Sequence, residues 1–467
     1  MVKKVNGRNA SEEAARQNLV GYDAYRSYSE EGGIADELRG TAEAYPDLTK
    51  LVTLGKSVTG QDILALKVTK NASILKDGKR PAVLYAGAQH AREWITPEMV
   101  RRLMHHYPEG YGTDAELTGL VDTTELWFLP VANPDGYDFT FSDERLWRKN
   151  LRDNNDDGTI TPGDGVDPNR NFAVKWGWDN EGSSPVPDSE TYRGAGPNSE
   201  PETRALDSLF DRIGFEFFIN YHSAAELLLY GIGWQVSTPS PDDVIYEAMV
   251  GDDANPAVPG YDPDISAELY TTNGDTDSHA TVENGTLGFT PEMTTCETVS
   301  ASIPDDEWLP EDCISGFNFP DDEGLIRAEF EKNIPFALAV AKSAHDPDDP
   351  VSVVGRTAAD QCPTRSRSRT APPSRSRSPR RRRSRTCAWS TPSTKGRPRR
   401  SRRPSGRAVS ATATPTTTTT PSSGEPSPAP RPVTRSRSAS PGSSPASARS
   451  AATPSPTRSP TTSAATC

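Results

Sequence analysis

The chain has 467 residues, of which 25% are charged, and a net charge of −14 at pH 7. That charge averages two unlike parts: the last 107 residues hold 22 Lys and Arg against one acidic residue, Glu425, so the first 360 stand near −35 and the remainder near +21. The last part contains no Leu, Ile, Phe, Tyr or Met, which excludes a packed core there, and no apolar run anywhere is long enough to cross a bilayer.

Taken in order, the first 346 residues alternate strand-like and helix-like patterns. LTKLVTLGK, DILALKVT and RPAVLYAGAQ read as strands. A helix is predicted from Thr96 to Tyr107, with Thr96 as N-cap, Pro97 at the first helical position, and Met99, Val100, Leu103, Met104 and Tyr107 on one face. Further strand-like runs are LWFLPVAN, FEFFINYH and GTLGFT, and GLIRAEFEKNIPFALAVAKSA reads as a closing helix. This order predicts an α/β single domain with a mixed, mostly parallel sheet covered by helices on both faces. Chemistry in such sheets gathers beyond the carboxyl ends of strands. His90 ends one run, Asn133 another and His222 a third, and Glu292 follows a fourth.

His90 and Glu93 in HAREW, with His222 after FEFFINY, supply two imidazoles and a carboxylate, the three-ligand set of a catalytic zinc that keeps a fourth position open. A His-x-x-Glu pair alone is usually a solvated helix face, but a strand end is a poor place for one. Between Arg148 and Asn169, the stretch Asp153-Asn154-Asn155-Asp156-Asp157-Gly158-Thr159 puts side-chain oxygens at positions 1, 3 and 5 of a loop. Gly stands at 6, the Thr159 carbonyl at 7 and Asp164 at 12, which is the spacing of a calcium loop. The plainer reading is an acidic, Gly-rich surface turn. Cys296 and Cys313 lie 17 residues apart and either close a disulfide, which implies an oxidising compartment, or remain two buried thiols.

QHAREWITPE, LPVANPDGY, LWRKN, VDPNRNF, NYHSAAELLLYG and GFTPEM follow one another here. In this order and at these spacings the chain resembles the zinc metallocarboxypeptidases of the pancreatic carboxypeptidase A and B and bacterial carboxypeptidase T type, over residues 21–346. The resemblance implies a zinc-dependent exopeptidase acting on the C-terminal bond of peptides and proteins. His90, Glu93 and His222 then bind the metal, and Glu292 is the general base that activates water. Arg148 polarises the scissile carbonyl, Asn169 and Arg170 hold the terminal carboxylate, Tyr270 caps it, and Arg92 is a secondary substrate-binding arginine. A gapless count from Tyr270 places Asp277, with Asp275 close by, where basic-specific members carry an aspartate, so a mixed apolar and basic C-terminal preference is expected.

Each of these residues has a plainer reading by itself, as a surface cation, a turn or a strand-end cap. Their shared order outweighs those readings. The chemistry also asks for these types: an Arg fork with an Asn amide recognises a planar carboxylate, and a second arginine stabilises an oxyanion. The rivals are a non-catalytic peptide-binding protein, a protein that binds RNA through an arginine-rich tail, and a related zinc amidase.

By this reading residues 1–20 are a lead, the remnant of a pro-segment, and 347–360 a linker or the start of a lost domain. Residues 361–467 form an Arg/Ser/Pro/Thr-rich disordered tail whose abrupt onset suggests a reading-frame shift near 361. No membrane or nucleic-acid partner is expected unless that tail is genuine. The resemblance points to a secreted monomer, although these residues carry no export signal.

Overall fold

In the computed structural model, which describes residues 24–236, 240, 242–302 and 309–357 with short pieces at 4–5 and 8–9, the central runs become strands with two apolar faces. One sheet holds β1 (Thr49–Lys56), β2 (Asp62–Val68), β3 (Ala82–Ala86), β4 (Glu125–Leu129), β5 (Phe217–Asn220), β6 (His222–Ser223), β7 (Leu227–Tyr230), β8 (Asp262–Ile265) and β9 (Leu287–Met293). Their order is β8-β7-β9-β5-β3-β4-β2-β1, with β6 pairing β9. The pairs β8/β7, β9/β5, β9/β6, β5/β3 and β3/β4 are parallel; β9/β7, β4/β2 and β2/β1 are antiparallel.

The longer helices are α1 (Ile34–Ala44), α2 (Ile95–Gly110), α3 (Ala115–Thr123), α4 (Pro134–Ser142), α5 (Pro201–Ile213), α6 (Asp243–Val250) and α9 (Glu323–Ser343), with short α7 (Thr276–His279) and α8 (Cys296–Ser302) between. Because strand side chains alternate faces, Val83, Tyr85, Phe128, Phe217 and Ile219 enter one core with Met99, Leu103 and Phe336, under α2 and α9. Leu84, Ala86, Trp127, Leu129 and Phe218 enter a second core with Leu206, Leu209 and Phe210 of α5. Each fully buried Leu, Ile or Phe contributes about 1.5–3 kcal/mol relative to exposure. Apolar residues on both faces of the central strands are why helices cover both.

Two local expectations are corrected. Helix α2 begins at Ile95, with Thr96 inside its first turn and Trp94 as the N-cap residue. The Thr96 hydroxyl serves elsewhere, donating to Glu93 O and accepting from the Ala88 amide. Glu292 lies within β9 rather than after it.

Residues 351–357 lie against the domain rather than leaving it at once: the Val351 amide donates to Ser343 Oγ, and Arg356 pairs with Asp252. The tail at 361–467, its disorder and the frame shift lie outside the described residues, as does the lead at 1–20 apart from the two short pieces. Among the described residues, no helix is long and apolar enough to cross a membrane.

Candidate active site

Strands β3, β5 and β9 are neighbours in the sheet, and the residues at and beyond their carboxyl ends meet. Beyond β3 the chain turns sharply against the start of α2. A Cβ on Gly87 would come within 2.9 Å of the Thr96 carbonyl, so only glycine permits that approach, and Ala88 takes a left-handed φ of 43°. The turn delivers His90 and Glu93. His222 follows β5, and its β6 ladder places it directly beside Glu292 of β9.

The three sequence-predicted ligands come together. Glu93 Oε1 lies 2.8 Å from His90 Nδ1, Glu93 Oε2 lies 3.0 Å from His222 Nδ1, and the two Nδ1 atoms are 3.0 Å apart. His90 Nε2 donates to Asp167 Oδ1 at 3.1 Å, which leaves its Nδ1 as a lone pair. Two ring nitrogens and a carboxylate, all buried and with ligand atoms within 4.8 Å of one another, are the donor set of zinc. Burial would raise the Glu93 carboxyl, but the two rings hold it well below the usual range. Burial lowers His90, helped by Arg148; His222 is raised by Glu93 against the effect of burial.

Arg148 is tied to the same cluster. Its Nε and Nη2 donate to Asp167 Oδ2 at 3.0 and 2.8 Å, while the other oxygen of Asp167 serves His90. Asp167 opposes burial through Arg148, His90 and Arg170, and stays ionised well below the usual carboxylate range. Sequence reasoning missed this residue, although VDPNRN displayed it two positions before Asn169. The available signal was that a ligating histidine usually gives its other N–H to a carboxylate.

Asn169 Oδ1 accepts both the amide and the hydroxyl of Thr276, at 2.9 and 3.0 Å. Arg170 is buried; one of its Nη groups donates to Asn169 O, and its Nε has no partner among the described residues. The Tyr270 ring lies 5.8 Å from the Arg170 guanidinium and is 50% exposed. Arg92 lies over the Phe317 ring at 4.2 Å and pairs with Glu190 at 2.9 Å. Glu292 is pushed up to about 7 by burial, with Glu93 adding and His222, Arg148 and Arg170 opposing.

The two pocket aspartates differ. Asp275 is the N-cap of α7: Oδ1 accepts from the Ser278 amide and Oδ2 from the Thr272 hydroxyl. Asp277 is also buried. Its Oδ2 accepts from Thr290 Oγ1 at 2.9 Å and Asn220 Nδ2 at 3.4 Å, but Oδ1 has no partner among the described residues. Burial, with Asp275 adding, pushes its carboxyl up to about 6. A Cβ on Gly288 would stand 2.5 Å from Asp277 Oδ1, so glycine leaves that oxygen its space.

The calcium loop is not gathered in the same way. Asp153 accepts from the amides of Asn155, Asp157 and Gly158, and Asp157 accepts from that of Thr159. Both oxygens of Asp164 are taken, by the amides of Asn154 and Thr161 and by the Thr161 hydroxyl. Among the described residues only His90, Glu93 and His222 form a cluster of three His, Cys, Asp or Glu ligands. Cys296 and Cys313 are joined by a disulfide, with Cα atoms 5.8 Å apart.

In comparison with known proteins, residues 34–324 match the family model for zinc carboxypeptidase. A metallocarboxypeptidase A-like protein of Trichophyton verrucosum is 31% identical over 303 residues, 63% of this chain and 68% of that protein. Mast cell carboxypeptidase A of Rattus norvegicus is 29% identical over 241 residues, 51% of this chain and 56% of that protein. The chain thus spans little more than half the length of the rat relative. The crystal structure of thrombin activatable fibrinolysis inhibitor superposes with a TM-score of 0.57 at 25% identity, covering 72% of this chain and 81% of that one.

Proposed function

The chain belongs to the zinc carboxypeptidase family, and from that premise we propose that it removes single residues from the free C-termini of peptides and proteins. The observation that supports this reading is Arg170, a buried guanidinium with an unpartnered N–H beside the metal-ligand cluster. A buried cation with an open donor calls for an anion, and the planar anion of a peptide is its terminal carboxylate. Asn169 adds to it. With Oδ1 committed to Thr276, its Nδ2 is left to donate to the same carboxylate.

The other residues take the remaining tasks. Zinc held by His90, Glu93 and His222 supplies Lewis-acid polarisation. Arg148, locked by two hydrogen bonds to Asp167, presents its charge to the developing oxyanion without reorganising. Glu292 takes the proton of the attacking water and passes it to the leaving amine. Tyr270 covers the bound end, and Arg92 reaches residues further along the peptide. The Cys296–Cys313 disulfide supports an extracellular setting.

Blocking the carboxylate tests the reading. A peptide with an amidated C-terminus is expected to lose about a hundredfold or more in kcat/KM against its free-acid twin, the scale of charge-assisted hydrogen bonds left unmade. Equal turnover of the two would point to an amidase or endopeptidase instead.

Side-chain preference rests on Asp277. Its buried oxygen without a hydrogen bond fits a C-terminal Arg or Lys and repels Asp or Glu, while a neutral Leu meets neither attraction nor repulsion there. Asp277→Ala should lower kcat/KM for a peptide ending in Arg by about tenfold or more and leave the Leu peptide within about threefold, because only the former loses a charge-assisted contact. The parent's Arg preference should strengthen as pH rises through about 6, where Asp277 ionises. Arg cleaved no faster than Glu would remove the pocket carboxylate from the account.

A further inference from the structure

We propose that Gln89 is a positioning residue that orients two parts of the substrate site through one buried side-chain amide, an inference that rests on the carboxylate-clamp and pocket roles given above. Gln89 stands next to a metal ligand, but its side-chain amide bonds to Thr276 and Asn220 rather than to that cluster. It is 3% exposed, and both ends of its amide are used. Nε2 donates to Thr276 Oγ1 at 2.7 Å, and Oε1 accepts from Asn220 Nδ2 at 3.1 Å.

Proton counting fixes the direction of the first chain. The Thr276 hydroxyl has one proton, and that proton goes to Asn169 Oδ1 at 3.0 Å. The hydroxyl must therefore accept from its other neighbour, which only an N–H donor at position 89 allows. The chain Gln89 Nε2–H to Thr276 O–H to Asn169 Oδ1 commits the oxygen end of the Asn169 amide inward. An Asn169 turned end for end would set its NH₂ against the Thr276 amide, two donors facing each other. The arrangement leaves Nδ2 for the substrate carboxylate.

The second chain reaches the pocket. Asn220 Nδ2 is shared between Gln89 Oε1 and Asp277 Oδ2, the latter at 3.4 Å. Together with Thr290 it engages one oxygen of Asp277 and leaves the other unpartnered. Asn220, Thr276 and Gln89 are all buried, so neither chain is open to exchange with bulk water. A leucine or glutamate at position 89 offers no N–H to Thr276. Leucine also releases Asn220.

The test uses the zinc-loaded full chain, with metal content and melting temperature confirmed for each variant, on peptides with free C-terminal Leu or Arg. Gln89→Leu should raise KM for the Leu peptide about tenfold with kcat within about threefold, the pattern of lost uniform binding. Thr276→Val keeps the backbone amide and removes the hydroxyl. It should reproduce that rise without disturbing the neighbour of His90, and it stands in if Gln89→Leu fails to fold. The ratio of Arg to Leu turnover should fall in Gln89→Leu but hold in Thr276→Val, because only Gln89 holds Asn220. In an Asn169→Ala background, Gln89→Leu should add less than about twofold to KM, since contacts acting through one group are not additive. If Asn169→Ala raises KM but Gln89→Leu and Thr276→Val do not, or if the effects multiply, the positioning role is overturned and the clamp stands. If Asn169→Ala itself leaves KM unchanged, the clamp reading fails and the inference falls with it.

Discussion

Glu292→Gln should lower kcat by at least about a hundredfold while zinc content and peptide binding stay at parental levels, the scale expected when a general base is lost. The substitution keeps the size of the side chain and its place on β9 beside His222, so the loss reads the proton acceptor rather than packing. It also changes the pH profile. Burial pushes the Glu292 carboxyl up to about 7, with Glu93 adding and His222, Arg148 and Arg170 opposing. A resident divalent cation favours the ionised form further, so the acidic limb of the parent falls at or below about 7. With Glu292 as the proposed base, the active form would be the ionised one, so activity should rise with pH through that limb and be lost below it. The Gln variant lacks the limb. Near-parental turnover, or an unchanged acidic limb, would falsify the role of Glu292.

His222→Ala should abolish zinc retention and with it turnover. The variant removes one of three ligands, and its metal affinity should fall by more than the 10–100-fold typical of outer-shell partners. Stability reports the same event. Zinc at about a thousand times its Kd stabilises a folded protein by about 4 kcal/mol, so the parent's melting temperature drops on chelation and the variant's does not respond. The variant should also melt below the chelated parent. Glu93 loses a partner 3.0 Å away while remaining buried, and breaking a buried charge pair costs about 3–5 kcal/mol. Metal analysis after dialysis and thermal scans with and without chelator check both points. One zinc per chain retained by the variant would remove His222 from the ligand set.

The chemistry of this protein was legible because it sits on short segments whose residue types have few other uses. HAREW and the His after FEFFINY put imidazoles and a carboxylate at strand ends, and the parallel neighbours β3, β5 and β9 carried those ends to one place. Strand-like runs alternating with helical patterns also sufficed to predict a sheet covered on two sides, since helices joining parallel strands lie on its faces.

What the sequence alone determined was therefore the residue types, their order and the layering of the fold. Which hydrogen bonds each side chain makes was decided only by tertiary structure, because the partners come from distant segments. Asp275 and Asp277 are two residues apart and of one residue type, yet the former accepts from the Ser278 amide and the Thr272 hydroxyl while the latter keeps an oxygen without a partner among the described residues, against Gly288. Thr96 looked like a cap until the Ala88 amide claimed its hydroxyl. Asp167 and Gln89 stand inside the quoted motifs, but their roles run through His90, Arg148, Thr276 and Asn220, contacts that span up to 187 residues of chain. A carboxylate or amide has the same sequence signature whether its atoms are satisfied or open, and only the packed fold distinguishes the two.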